Sequence, residues 1–213
     1  MTQSNIIPPP PARVAARTTI WKAGRRLYRV HRKDYGPLQF NSGADGRSGR
    51  FHPIEDGRGR LIPTLYAADR IDGALSETVF HNVVAGGFVL RAELTTRVLS
   101  RIDLARDIKI ANLSGYGLRK LGLKRSQLLE CESPRYAETA RWAAAIYRSD
   151  ESLDGMVWVS RQFDIARALL AYGGRLDEDD FVVSGEPEPL NNGKAYRRVQ
   201  MAASAAGITI VEG

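Results

Sequence analysis

Thr64-Leu65-Tyr66-Ala67 reads as a strand, and Asp69 just after it can cap a helix whose Ile71, Leu75, Val79 and Val83 recur every four residues. Glu77 falls off that apolar stripe. Upstream, Thr18-Thr19-Ile20-Trp21 and Leu27-Tyr28-Arg29-Val30 read as short strands, the second alternating so that Leu27 faces one way and Tyr28 the other. Between them and Thr64, the stretch from Gly36 to Pro63 is dense in Gly, Arg, Asp and Pro and reads as one long loop. Downstream, Gly87 to Leu94 and Val98 to Ile102 read as strands. Ser133-Pro134 is a cap with proline at the first position of a helix reaching about Tyr147. Gly155 to Ser160 is an apolar run too short for a lone helix and reads as a buried strand, with Phe181 to Val183 as another. Asn192 to Ala206 carries Ala195, Val199, Ala203 and Ala206 at helical spacing before Gly207, and Ile208 to Val211 closes the chain as a strand. Strands and helices mixed without regular alternation predict an α+β fold.

The 213 residues, 43% hydrophobic and 26% charged, suit one domain with a single core. We expect residues 1–17, with Pro8 to Pro11 in extended polyproline geometry, to form a flexible arm with nothing to pack, and residues 18–213 to form the domain. No stretch has the ~20 apolar residues needed to span a bilayer, and the N-terminus lacks the charged-then-apolar order of a secretory signal, so the expected location is cytoplasmic. The lone Cys131 cannot form an internal disulfide and reads as a small, half-buried side chain. The net charge of +7 is local: residues 1–80 hold 13 Lys and Arg against 7 Asp and Glu, the remainder 18 against 17. Such a block attracts polyanions, whether nucleic acid, a phosphorylated small molecule or an acidic protein.

His31, His52 and His81 lack the spacing and the accompanying carboxylates or cysteines of a metal site, so no metal is expected. Gly43, Gly46 and Gly49 are followed by more loop rather than by a helix start, so a dinucleotide fingerprint fails. What remains is Gly49-Arg50-Phe51-His52 in a loop, with Arg29 and Tyr66 on strands to either side.

Four blocks in order carry a resemblance: Leu27-Tyr28-Arg29-Val30; Gly49-Arg50-Phe51-His52; Thr64-Leu65-Tyr66-Ala67-Ala68 with Ala74-Leu75-Ser76-Glu77-Thr78; and Val157-Trp158-Val159-Ser160-Arg161. Together they resemble the RES family over about residues 26–185. The arginine, glutamate and serine that name the family fall on Arg29, Glu77 and Ser160, and Arg50 is a second arginine that the family uses. The resemblance implies a fold like the catalytic core of ADP-ribosyltransferases and diphtheria toxin. It also implies NAD+ as substrate, cleaved at the nicotinamide–ribose bond by hydrolysis, phosphorolysis or ADP-ribose transfer, with transfer to a specific protein target as an alternative. As partner it implies a cognate Xre-like antitoxin with a helix-turn-helix module.

These residue types suit that chemistry. NAD+ carries a cationic leaving group that needs no proton, so cleavage requires positioning and charge stabilisation. Arg29 and Arg50 offer planar cationic forks to a diphosphate. Glu77 can stabilise an oxocarbenium-like ribose. Tyr66 can stack on nicotinamide, Ser160 can hydrogen-bond the ribose or carboxamide, and Tyr28 and His52 flank the arginines. Taken singly, each residue has an ordinary reading, from a surface glutamate on an amphipathic helix to a serine at a strand end; the block order decides. Arg119, Arg125 and Arg135 read as a solvated helix surface. A nucleic-acid module using Arg13, Arg17, Lys22, Arg25, Arg26, Arg29, Arg32 and Lys33 is the weaker alternative, because no recognition helix or aromatic interleaving accompanies them.

Overall fold

The computed structural model describes residues 6–44, 46 and 49–212; residues 1–5 of the expected arm and residues 45, 47 and 48 of the expected long loop lie outside them. In chain order the elements are β1 (Thr18–Trp21), β2 (Arg26–Arg32), β3 (Ile54–Glu55), β4 (Leu61–Ile62), β5 (Thr64–Ala68), α1 (Ile71–Ser76), β6 (Phe88–Leu90), α2 (Arg91–Leu94), β7 (Arg97–Leu104) and β8 (Ile108–Asn112). There follow α3 (Tyr116–Lys120), α4 (Arg125–Leu128), α5 (Tyr136–Ser149) behind a 3-10 turn at Ser133–Arg135, β9 (Gly155–Val159), β10 (Arg167–Tyr172), β11 (Phe181–Val183), β12 (Glu188–Pro189), α6 (Gly193–Ala205) and β13 (Thr209–Val211).

Among the described residues nine strands form one sheet, in the order β1-β8-β9-β10-β5-β2-β7-β11 with β12 beside β11's neighbour β7. Its pairings are antiparallel except β8 with β9, and β13 pairs parallel with β6 in a separate ribbon. Alternation along the strands sorts side chains between two faces. Met156, Trp158, Leu170 and Tyr172 join Trp142 and Ile146 of α5 in one cluster, while Val157, Leu169, Ala171, Leu65 and Leu27 point into another, with Leu38 and Phe40 packed against it. A third cluster seats α1 and α6 on Val30, Ala68 and Leu99. This is the α+β architecture expected from the sequence.

The structure departs from the expected elements where side chains found better partners than a helix or strand offered. The helix after β5 ends at Ser76, well short of Val83. Asp69 does not cap it; its carboxylate accepts from the Arg167 backbone N–H at 2.8 Å. The Thr78 hydroxyl takes the Ala74 carbonyl at 2.6 Å and the Phe80 N–H returns to the Leu75 carbonyl, which closes the helix just where Glu77 turns inward. The Gly36–Pro63 loop contains the β3–β4 hairpin, Gly87 to Leu94 divides into β6 and α2, and β8 and β10 had no clear pattern in the sequence.

The segment before β1 was expected to have nothing to pack. Instead Ile7 is buried in the α5 cluster, the Trp142 indole N–H donates to the Pro8 carbonyl at 2.7 Å, and the Gln127 amide donates to the Ile6 carbonyl at 2.7 Å. A polyproline strand leaves its carbonyls unpaired, and here two side-chain donors take carbonyls of Ile6 and Pro8, among the first described residues.

Candidate active site

β5, α1 and β9 bring the candidate residues together. β5 feeds α1 through a two-residue turn, and Gly73 lets α1 close on the start of β10, since a Cβ there would stand 2.5 Å from the Ala166 Cβ. That approach sets Glu77, at the C-terminal cap of α1, against the end of β9.

Both carboxylate oxygens of Glu77 are engaged. Oε1 accepts from the Ser160 hydroxyl at 2.8 Å and from the Arg161 backbone N–H at 3.1 Å, and Oε2 lies 3.2 Å from Arg50 Nη1. The Arg50 and Glu77 side chains are 3% and 10% exposed, so the pair is charge-assisted and little screened by water. Arg50 donates from Nη2 to His81 Nε2 at 3.2 Å, and its backbone carbonyl accepts from the Thr139 hydroxyl of α5. Among the described residues Arg50 Nε is buried without a hydrogen-bond partner, and the buried Tyr66 hydroxyl faces the Phe51 backbone N–H without making a hydrogen bond of ordinary geometry. The Tyr66 ring stands edge-on to Trp158 at 6.1 Å, and Trp158 edge-on to Phe51 at 5.1 Å. Burial pushes the Tyr66 phenol above its ordinary value, with Arg50 pulling the other way. It therefore remains a hydroxyl able to donate.

Arg29 is not part of this cluster. It alternates with Tyr28 and Val30, which pack on the α1–α6 side, and its Nη1 and Nη2 donate to the Pro37 and Gln39 carbonyls at 2.8 and 2.7 Å. No carboxylate among the described residues pairs with it, and desolvation lowers its pKa to about 10. Strands β2 and β5 are in register only at Tyr28 and Ala68, and near them a cleft of about 180 Å³ is lined by Arg29, Asn41, Thr64 and Tyr66. Arg29 and Tyr66 thus share a cleft although Arg29 and Glu77 share no contact. Tyr28 packs on the α1–α6 cluster. His52 Nδ1 lies 3.0 Å from the Thr64 hydroxyl, and His52 lines, with Tyr136, Ser133 and Arg141, a second, larger cleft of about 490 Å³.

Three participants were missed in the sequence. His81 and Tyr136 meet beside Arg50, the Tyr136 hydroxyl 3.3 Å from His81 Nε2. Arg125, read as a solvated helix residue, donates to the Ser160 carbonyl at 2.9 Å and pairs with Glu130, fixing the end of β9. A four-residue step from Glu77 to His81 was the one available signal, and it lies beyond the end of α1.

The basic stretch near the N-terminus is largely spent on the protein itself: Lys22 pairs with Asp107, Arg26 with Asp103, Arg32 with Asp34, and Arg25 stacks over Trp21. His31 is buried, its Nδ1 donating to the Arg32 carbonyl and its Nε2 2.8 Å from the Ser100 hydroxyl. Desolvation holds both His31 and His81 below the ordinary 6.5. Each is neutral in the fold, and the unfolded chain takes up the proton first on acidification. Stability is therefore complete above about pH 6.5 and falls below it, by up to about 1.4 kcal/mol per pH unit for each group. Thermal unfolding followed from pH 7.5 to 5.5 should show the melting temperature dropping, and His31→Gln should make the drop shallower; an equal slope in the variant contradicts the assignment.

A mixed sheet that holds a largely buried carboxylate between an arginine, a serine and a backbone amide, beside a cleft lined by a second buried arginine, defines an α+β domain with a cationic cleft. The family model described as RES domain matches residues 26–190, and the chain belongs to that family. Its fold is similar to that of a chain in the crystal structure of the M. tuberculosis MbcT-MbcA toxin-antitoxin complex, with a TM-score of 0.55 at 16% identity, over 78% of this chain and 84% of that one. No curated protein sequence matches the chain significantly.

Proposed function

We propose that the chain is an NAD+-consuming enzyme and the toxin of a toxin–antitoxin pair. The observation that carries this reading is the Glu77 carboxylate, fixed on both oxygens by Arg50, Ser160 and the Arg161 amide. A carboxylate held so firmly stabilises positive charge without reorganising, which is what scission of a nicotinamide riboside requires. The bond between ribose C1′ and nicotinamide N1 breaks, and its electron pair leaves with nicotinamide as a neutral ring. The ribose passes through an oxocarbenium-like state beside Glu77. An acceptor oxygen then bonds to C1′ and gives its proton to solvent.

Arg50 Nε, without a partner among the described residues, and Arg29, paired with no carboxylate among them, suit diphosphate oxygens. In this reading Tyr66 and Ser160 meet nicotinamide and ribose, with Tyr28 and His52 at the margins. The acceptor, whether water, phosphate or a side chain of a target protein, is named by the product.

Family membership and the fold shared with a toxin–antitoxin complex support the biological role. The partner of this reading is an antitoxin of the Xre type that covers the cleft. Expressed alone, the chain should arrest bacterial growth and drain cellular NAD+ within the same interval, and co-expression of the antitoxin should reverse both. Growth arrest with NAD+ unchanged would sink the NAD+ reading while leaving the toxin role standing.

A further inference from the structure

Besides Glu77, the Arg50 guanidinium has a second side-chain partner whose use the reaction itself does not explain. His81 Nε2 faces Arg50 Nη2 at 3.2 Å, and a guanidinium can only donate, so this nitrogen is the lone-pair nitrogen of a neutral ring. The ring proton then sits on Nδ1, which donates to Asn82 Oδ1 at 2.8 Å. Four elements surround the imidazole. Arg50 comes from the loop before β3, Glu77 from the end of α1, and Arg161 from the turn after β9. From α5 the Tyr136 hydroxyl lies 3.3 Å from Nε2, with its ring edge-on at 6.2 Å. Among the described residues two cations and one carboxylate face the ring, and its close partner on the Nε2 side besides Tyr136 is a donor.

We propose that His81 is a positioning residue that holds Arg50 for the diphosphate of NAD+, and that a proton on its Nε2 releases the arginine. The proposal rests on the NAD+ reading above. A second N–H on the ring points at the guanidinium N–H groups, so the acceptor is lost and two cations are forced together in a site screened from water. Burial and Arg50 disfavour that proton, while Asn82 and Glu77 favour it, and the balance lies below the ordinary 6.5. The working form is the deprotonated one. NAD+ binding is therefore complete at neutral pH and lost on the acid side, so that a toxin in an acidified cell is weakened through Arg50 rather than through its glutamate.

The test is steady-state NAD+ consumption by the full chain from pH 5 to 8 for wild type, His81→Leu and His81→Gln, with long-range proton–nitrogen spectra of the three imidazoles over the same range. In wild type KM should rise about tenfold per pH unit below the titration of His81, with kcat changed less, as befits lost ground-state binding. His81→Leu should raise KM about tenfold at pH 8 and lack the His81 acid limb, because neither the acceptor nor the titrating imidazole remains beside Arg50. His81→Gln, whose amide oxygen can replace Nε2, should recover most of the KM and still lack the limb. The spectra should show His81 with its proton on Nδ1 at neutral pH. An acid limb that persists in the glutamine variant, a wild-type KM in the leucine variant, or a proton on Nε2 at neutral pH overturns the proposal. If wild type consumes no NAD+, the NAD+ reading fails and the spectra decide the Arg50 link alone: in Arg50→Met the His81 titration must move up, and an unmoved titration refutes the link.

Discussion

Glu77→Gln is expected to lower kcat for nicotinamide release by about 10²–10³-fold, the loss typical of removing one preorganised charge-stabilising group from a water-excluded site. The amide keeps the shape of the side chain and can accept from the Ser160 hydroxyl and the Arg161 N–H through Oε1. It fails at the other end, where an NH2 group would meet Arg50 Nη1 in place of Oε2. Two donors facing each other inside the protein cost about 1–3 kcal/mol, so the melting temperature should also fall modestly. The loss belongs mainly in kcat, because the carboxylate matters most when the ribose is cationic. Turnover within tenfold of wild type, in a variant that retains its circular dichroism spectrum, would remove Glu77 from the chemistry.

Trp158→Ala should have the largest effect on stability. The indole is 1% exposed and packs edge-on against Phe51 and Tyr66 at the centre of the sheet. Truncating a buried tryptophan to alanine costs about 3–5 kcal/mol once the residual cavity is included. For a domain of this length that corresponds to a melting temperature lower by roughly 6–20 °C. Trp158→Phe should recover part of it, because the indole N–H has no partner among the described residues and the phenyl ring still fills most of the space. Phe51 follows Arg50 directly and Tyr66 stands on the next strand but one, so the alanine variant should also loosen the site. A melting temperature within 3 °C of wild type would mean that the cluster collapses onto the gap, contrary to this account.

How much of this was legible in the sequence depended on the range of the interactions involved. β2 and α6 could be placed because alternation or helical spacing was carried by their own side chains, and β9 because an apolar run that short suits only a buried strand. β8 and β10 were not read, since Arg167–Tyr172 opens on an arginine and shows no alternation, and Ile108–Asn112 is interrupted by Lys109. The overlong helix after β5 is the instructive case. Its apolar spacing extends to Val83, yet tertiary contacts at Glu77 and the Thr78 hydroxyl stop it after Ser76. Glu77, Arg50 and Ser160 were named together from the order of their blocks, and the structure brings them into contact. Arg29 was grouped with them by the same blocks, but alternation along β2 turns it toward the loop at Pro37 and Gln39. His81, Tyr136 and Arg125 were out of reach, because their partners come from segments up to 55 residues away with no local pattern to mark them.

The central claim is that this site breaks the nicotinamide–ribose bond of NAD+. The most direct measurement is chromatography of NAD+ incubated with the purified chain, freed of any bound partner, with and without phosphate and beside Glu77→Ala and Arg29→Ala. The account predicts stoichiometric nicotinamide from the wild type and little from either variant, with the ribose-bearing product naming water, phosphate or protein as acceptor. NAD+ left intact by folded, partner-free protein would contradict it.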